Sequence, residues 1–161
     1  MKGVEGVLSF GLRKLGYSEL RESQRKVVES YVSGRDVFFR SPTGSGKSLC
    51  FEIAPFVFEG IAVGVQNAER QACTSSVCIV VAPLVSLMKN QVDGLRKCGI
   101  KAAIVGPEST ATELKDIRLG RFTLVFGSPE ALLHSHRTVI CELKDSIKAV
   151  FIDESYCIAK W

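Results

Sequence analysis

The stretch SPTGSGKS, residues 41 to 48, brings glycines, hydroxyls and a lysine together between an apolar run and a helix-patterned segment. It fits the frame G-x-x-x-x-G-K-[ST], with Ser41 in the place of the first glycine. Gly44 and Gly46 let backbone N–H groups turn inward on anionic oxygens. Lys47 reaches the β and γ phosphates of a nucleotide, and Ser48 offers a hydroxyl to Mg²⁺. A glycine-serine turn that caps a helix, with Lys47 solvated, would account for the run taken alone.

A second stretch, VFIDESYC (150–157), is an apolar strand-like run that ends on adjacent carboxylates, Asp153 and Glu154. Packing gives no reason for two like charges there, because a carboxylate is buried cheaply only with a cation or donors to satisfy it. A strand end with solvated charges is the bland account. The phosphate loop supplies the missing cation: Asp153 would hold Mg²⁺ through its water shell, and Glu154 would orient and deprotonate an attacking water. Each motif provides what the other lacks. A kinase of this loop type is disfavoured, since it gains nothing from a carboxylate that activates water.

The elements that must position these groups alternate in type. DVFFRS (36–41), VCIVVA (77–82), KAAIVG (101–106), FTLVFG (122–127) and KAVFID (148–153) read as strands buried on both faces. Between them, ESQRKVVESYVSG, GKSLCFEIAPFVFEG, LVSLMKNQVDGLRKCG, ATELKDIRLG and SPEALLHSH read as helices, four of them stopped by glycine. Repeated strand, helix, strand predicts an α/β three-layer domain whose mainly parallel sheet is covered by helices on both faces. Ligands in such folds sit at the carboxyl ends of the strands. Residues 60–76 read as a surface excursion.

The bulk numbers agree with one ordinary domain, residues 1–161. A chain of this length buries ~70% of the surface its unfolded form exposes. Hydrophobic content of 46% with 24% charged residues excludes a disordered composition. A net charge of +4 permits a nucleic-acid partner without arguing for one. The six cysteines form no C-x-x-C pair, so neither a zinc site nor a disulfide framework is indicated, and they read as small buried apolar residues in a reducing compartment. Glu5 and its neighbouring glycines interrupt what a signal peptide needs, and no apolar run approaches a membrane span, so a soluble intracellular protein is expected. His134 and His136 lack a carboxylate or thiol at helical spacing and read as a solvated helix end.

Upstream of the loop, Tyr17, Arg21 and Gln24 stand four and three residues apart. A ring, a guanidinium and an amide could sandwich adenine and read its edge, though the run is also an ordinary polar helix start. The segment GYSELRESQRKVVESYVSGRDVFFRSPTGSGKSLCFEIAP closely resembles the start of RecQ-type DNA helicases of superfamily 2. Further along, VVAPLVSLMKNQV resembles motif Ia, FGSPEALL the next DNA-contacting motif, and FIDESYCIAKW motif II, in the right order from Leu12 to Trp161.

This resemblance implies a RecA-like ATP-binding lobe in which Tyr17, Arg21 and Gln24 bind adenine. Thr43, Gly44, Ser45, Gly46, Lys47 and Ser48 would hold ATP, Ser48 and Asp153 would serve Mg²⁺, and Lys47, Asp153 and Glu154 would carry catalysis. Ser86, Lys89, Gln91, Ser128, Glu130 and Trp161 would lie along single-stranded or forked DNA. For Ser128 an N-cap, with Pro129 and Glu130 in the first turn, explains the residues equally well. Lys89 is also readable as a solvated helix face.

Two departures limit what the resemblance carries. Ser155 and Tyr156 stand where the family usually has Ala and His. Tyrosine hydrogen-bonds but cannot become a cation near neutral pH, so coupling to DNA is weakened more than nucleotide binding. The chain also resembles only the first of two RecA-like lobes. The second carries the arginine finger, whose loss costs ~10³ to 10⁵ in turnover. Slow or undetectable hydrolysis and no unwinding by this chain alone are therefore expected. The family implies a 3′-to-5′ DNA helicase of repair or recombination, nuclear in eukaryotes and otherwise cytoplasmic. A non-hydrolysing ATP- and DNA-binding module and an RNA helicase of the same superfamily are the alternatives.

Overall fold

The structure, a computed structural model, describes residues 2–63 and 76–154. Its contacts divide the chain into two compact units, Met1–Thr74 and Ser75–Trp161.

The first unit is helical: α1 (Lys2–Leu15), α2 (Glu22–Val32), α3 (Leu49–Glu52) and α4 (Ala54–Val63). Leu8, Leu12, Leu20, Val28, Leu49, Ile53 and Val57 form its core. Helix α1, which the apolar pattern did not single out, packs along α4. Gly60 makes the approach possible, because a Cβ there would lie 2.3 Å from a methyl of Val7. The rings of Phe10 and Phe56 meet edge to face, 5.9 Å between centroids.

Two expectations fail in this unit. The segment 36–41 forms no strand, and Phe38 is 83% exposed. A strand exists only where a neighbour pairs its backbone, and the apolar character of DVFF cannot supply that neighbour. The helix expected across residues 46–60 is broken into α3 and α4 at Ile53. Pro55 explains the break, since it has no N–H for the Phe51 carbonyl and its ring crowds the preceding turn. Residues 61–63 are helical rather than part of an excursion, and 64–75 lie outside the described residues.

The second unit holds the parallel sheet. Its strands are β1 (Val77–Val81), β2 (Ala102–Val105), β3 (Leu124–Gly127) and β4 (Ile147–Ile152), in the order β2-β3-β1-β4. Helices α5 (Val85–Lys97), α6 (Ala111–Arg118) and α7 (Arg137–Leu143) make the returns. A π-helical turn, Ala131–Ser135, precedes α7 where a plain helix was expected. On one face Ile79, Val125 and Ala103 pack with Ile117, Leu132, Val139 and Leu143 from the α6, π-turn and α7 layer. Helix α5 packs on β2 and β3 and buries Met88, Val92 and Leu95.

Local chemistry fixes the helix ends. Thr110 accepts the Glu113 N–H at 3.1 Å while Glu113 accepts the Thr110 N–H at 3.0 Å, a reciprocal cap on α6. After α5, Gly99 takes φ +78°, and Ile100 donates back to the Leu95 carbonyl at 3.0 Å.

Strands β1, β2 and β3 are buried as expected, but β4 is not. Among the described residues it pairs with β1 alone, and Val150, opposite Ile79, is 57% exposed. Ile147 still packs against the α6 and α7 layer, while Lys148, Val150 and Ile152 alternate outward along the strand.

Candidate functional site

The phosphate-loop residues belong to the first unit. Gly44 and Gly46 both take φ +79°, a conformation open to glycine and costly to other residues. Lys47 is folded into its own loop: Nζ donates to the carbonyls of Ser41 at 2.8 Å and Pro42 at 3.0 Å. The Ser45 hydroxyl is buried without a hydrogen-bond partner. Ser48 opens α3 without capping it through its side chain. These features fit a nucleotide with Mg²⁺: the ammonium can move from carbonyls to phosphate oxygens, and the orphaned Ser45 Oγ lacks only a partner.

The expected adenine group is split. Tyr17 is 48% exposed on the loop after α1. Gln24 is only 3% exposed and fully engaged. Its Oε1 accepts the Arg21 N–H at 2.8 Å, and its Nε2 donates to the Gly46 carbonyl at 2.8 Å. The Arg21 guanidinium donates to the Ser45 carbonyl at 2.9 Å. Arg21 and Gln24 therefore brace the phosphate loop from α2.

Sequence reasoning missed a third brace. Tyr31 Oη donates to the Cys50 carbonyl at 3.1 Å, at the start of the broken helix. Its seven-residue spacing from Gln24 places both on one face of α2, which was the available signal.

Two groups near the loop are shifted by burial. The Cys50 thiol is pushed up to about 11, chiefly by desolvation. Glu52, one turn after Ser48, is raised above the ordinary carboxylate range by desolvation.

The carboxylates belong to the second unit, at the carboxyl end of β4. The Asp153 N–H continues the ladder to the Val81 carbonyl at 2.9 Å, and Asp153 Oδ1 accepts the Glu154 N–H at 3.0 Å. Glu154 has φ +56°, alone among described non-glycine residues in the left-handed region. Strain of this kind gathers at functional turns, because the surroundings must hold it in place. Ser155, Tyr156 and Trp161 lie outside the described residues.

The remaining candidates occupy the same carboxyl pole of the sheet. Ser86 is exposed at the start of α5, and Lys89 is ion-paired with Glu108 rather than merely solvated. Gln91 is half-buried, with Oε1 unpartnered. Ser128 Oγ accepts the Ala131 N–H at 3.2 Å, the capping role foreseen for it, and Glu130 is exposed beside it. Of the cysteines, Cys50 and Cys78 are buried, but Cys98 is intermediate and Cys141 exposed, so burial does not describe the set. Cys73 and Cys157 lie outside the described residues. No described helix is long and apolar enough to cross a membrane.

Comparison with known proteins gives the family and the fold. The family model for DEAD/DEAH box helicases matches residues 21–161. ATP-dependent DNA helicase RecQ of Pasteurella multocida is 32% identical over 91% of this chain and 21% of its own length. ATP-dependent DNA helicase Q4 of Homo sapiens is 30% identical over 93% of this chain and 12% of its own length. A solved structure of the DUF1998 helicase MrfA bound to DNA and AMPPNP matches with a TM-score of 0.68 at 22% identity. It covers 96% of this chain and 21% of that one, and this likeness shows the RecA-like fold. The chain spans about a fifth of the length of the first curated relatives it matches. It belongs to the DEAD/DEAH box helicase family, with RecQ helicases among its relatives.

Proposed function

We propose that the chain is the first, ATP-binding RecA-like lobe of a RecQ-like 3′-to-5′ DNA helicase, which couples ATP hydrolysis to movement on single-stranded DNA and duplex opening. The observation that carries the reading is the phosphate loop. Its two left-handed glycines, its Lys47 ammonium held on loop carbonyls and its orphaned Ser45 hydroxyl form a cradle with unmet capacity for an anion.

The roles follow residue by residue. Thr43, Gly44, Ser45 and Gly46 turn the loop backbone toward the phosphates, and Lys47 exchanges the Ser41 and Pro42 carbonyls for phosphate oxygens. Tyr17 is exposed and free to stack on adenine. Gln24 reaches the base only by releasing the loop, and Arg21 either in that way or through guanidinium donors the loop leaves unused. Ser48 and Asp153 are the residues that would hold Mg²⁺, which would supply positive charge to neutralise the phosphates. Glu154 aligns a water and takes its proton. Ser86, Lys89, Gln91, Ser128, Glu130 and Trp161 serve single-stranded or forked DNA, and a second RecA-like lobe completes the motor.

The relatives named as DNA helicases and the solved relative bound to DNA and AMPPNP support this reading. A role in DNA repair or recombination goes with it, in the nucleus of a eukaryote or the cytoplasm of a bacterium. Tyr156 in place of histidine supports a second reading, a module that takes ATP and DNA without turnover. Mg-ATP turnover, measured with and without single-stranded DNA in the parent chain and in Glu154→Gln, separates them. Slow turnover that DNA raises and Glu154→Gln abolishes supports the motor lobe, and binding without turnover in either form supports the module.

A further inference from the structure

Because the four strands are parallel, their amino ends share one pole of the second unit, and the carboxyl ends of α5, α6 and α7 return to it. Lys97 ends α5, Lys101 precedes β2, Lys144 follows α7, and Lys148 stands at the start of β4. All four are exposed, and none has an ion-pair partner among the described residues. Arg96, Arg118 and Arg121 stand at the same pole, with Asp116, Glu142 and Asp145 among them, and the opposite pole carries Asp153, Glu154, Glu108 and Glu130 with Lys89 and Arg137, so the balance of charge passes from basic to acidic across the unit.

Lysines at helix carboxyl ends complement the helix dipole, which would account for Lys97 and Lys144. It does not account for Lys101 and Lys148, which flank strands. With neighbouring strands ~4.8 Å apart, the three steps from β2 to β4 set these two about 14 Å apart. That span is close to the ~12 Å width of the major groove between the two backbones of a DNA duplex. Lysine, a point charge on a flexible stem, suits contact with phosphates without reading sequence.

We infer that the amino-terminal pole of the sheet is a second nucleic-acid surface, which holds the phosphate backbones of duplex DNA away from the nucleotide carboxylates. The surface needs no nucleotide. It is therefore independent of the proposed ATPase role.

The test is equilibrium binding of the full chain to a fluorescein-labelled DNA duplex without nucleotide, followed by anisotropy across a salt series. In the variant K97Q/K101Q/K144Q/K148Q the slope of log affinity against log salt becomes shallower by about 3.6, since each phosphate no longer neutralised by a lysine removes ~0.9 from it. Affinity at low salt falls at least about tenfold, while the matching four Lys→Arg substitutions keep the parent slope. All four side chains are exposed, so both variants stay folded at the assay temperature, the glutamine variant melting slightly lower through the helix-dipole charge lost at Lys97 and Lys144. A parent slope in the glutamine variant, or a loss confined to single-stranded DNA, overturns the assignment.

Discussion

Gln24 Nε2 donates to the Gly46 carbonyl at 2.8 Å, so the amide expected to read a base holds up the phosphate loop instead. A Cβ on Gly46 would lie 2.8 Å from that nitrogen, whereas one on Gly44 would meet nothing within 4 Å. Both glycines share the same φ, so Gly44→Ala and Gly46→Ala carry the same backbone strain of about 1–2 kcal/mol. Only Gly46→Ala also displaces Gln24. Thermal melting should fall further for Gly46→Ala, and the gap should close in a Gln24→Ala background. Equal melting of the two alanine variants would remove Gln24 from the loop's support.

Helix α1 meets α4 through a missing side chain. Gly60→Ala would press a methyl group into Val7, and overpacking of this kind costs ~1–3 kcal/mol. Val7→Ala should recover much of the loss in the double variant, read by denaturant midpoints. Additive losses would show that the two residues are not in contact.

Glu52 gives a pH dependence with a definite sign. Burial raises its carboxyl above its ordinary value of 4.5, so the folded chain holds a proton that the unfolded chain has released. Stability from this group is complete below the unfolded value and is lost as pH rises through the folded one. Glu52→Gln should raise the melting temperature at pH 7, with the gain shrinking toward pH 4. A gain that grew on acidification would reverse the assignment.

Thiol chemistry should separate the cysteines. Burial excludes reagent from Cys50 and pushes its thiol to about 11, while Cys141 is exposed. At pH 7.5, peptide mapping after iodoacetamide treatment should find Cys141 alkylated and Cys50 protected until denaturant is added. Early modification of Cys50 would mean that the α3 segment opens readily.

The strands β1, β2 and β3 were legible because their β-branched runs are short and bounded by turn residues, and burial on both faces leaves no alternation to confuse. The run at 36–41 has the same composition and forms no strand, since composition reports apolar character and pairing depends on a neighbour far away in sequence. For β4 the run was read correctly, but its edge position follows from strand order, which local pattern does not encode. The break before Pro55 is legible in the proline itself, which overrides the helical periodicity around it. At the site, residue types and spacing identified the loop and the carboxylates. The brace from Gln24 to Gly46 spans a sequence separation of 22, and no short-range spacing announces it.

Every role in the proposed ATPase depends on the loop of residues 41–48 being a nucleotide site. Its most direct test is titration of the parent chain and Lys47→Ala with a fluorescent ATP analogue in Mg²⁺, alongside Glu154→Gln. Saturable binding in the parent, at least about tenfold weaker in Lys47→Ala and retained in Glu154→Gln, is the predicted result, the weakening reflecting a charge-assisted phosphate bond of about 1.5–3 kcal/mol. Equal affinity in the parent and Lys47→Ala, with both variants folded, would contradict it.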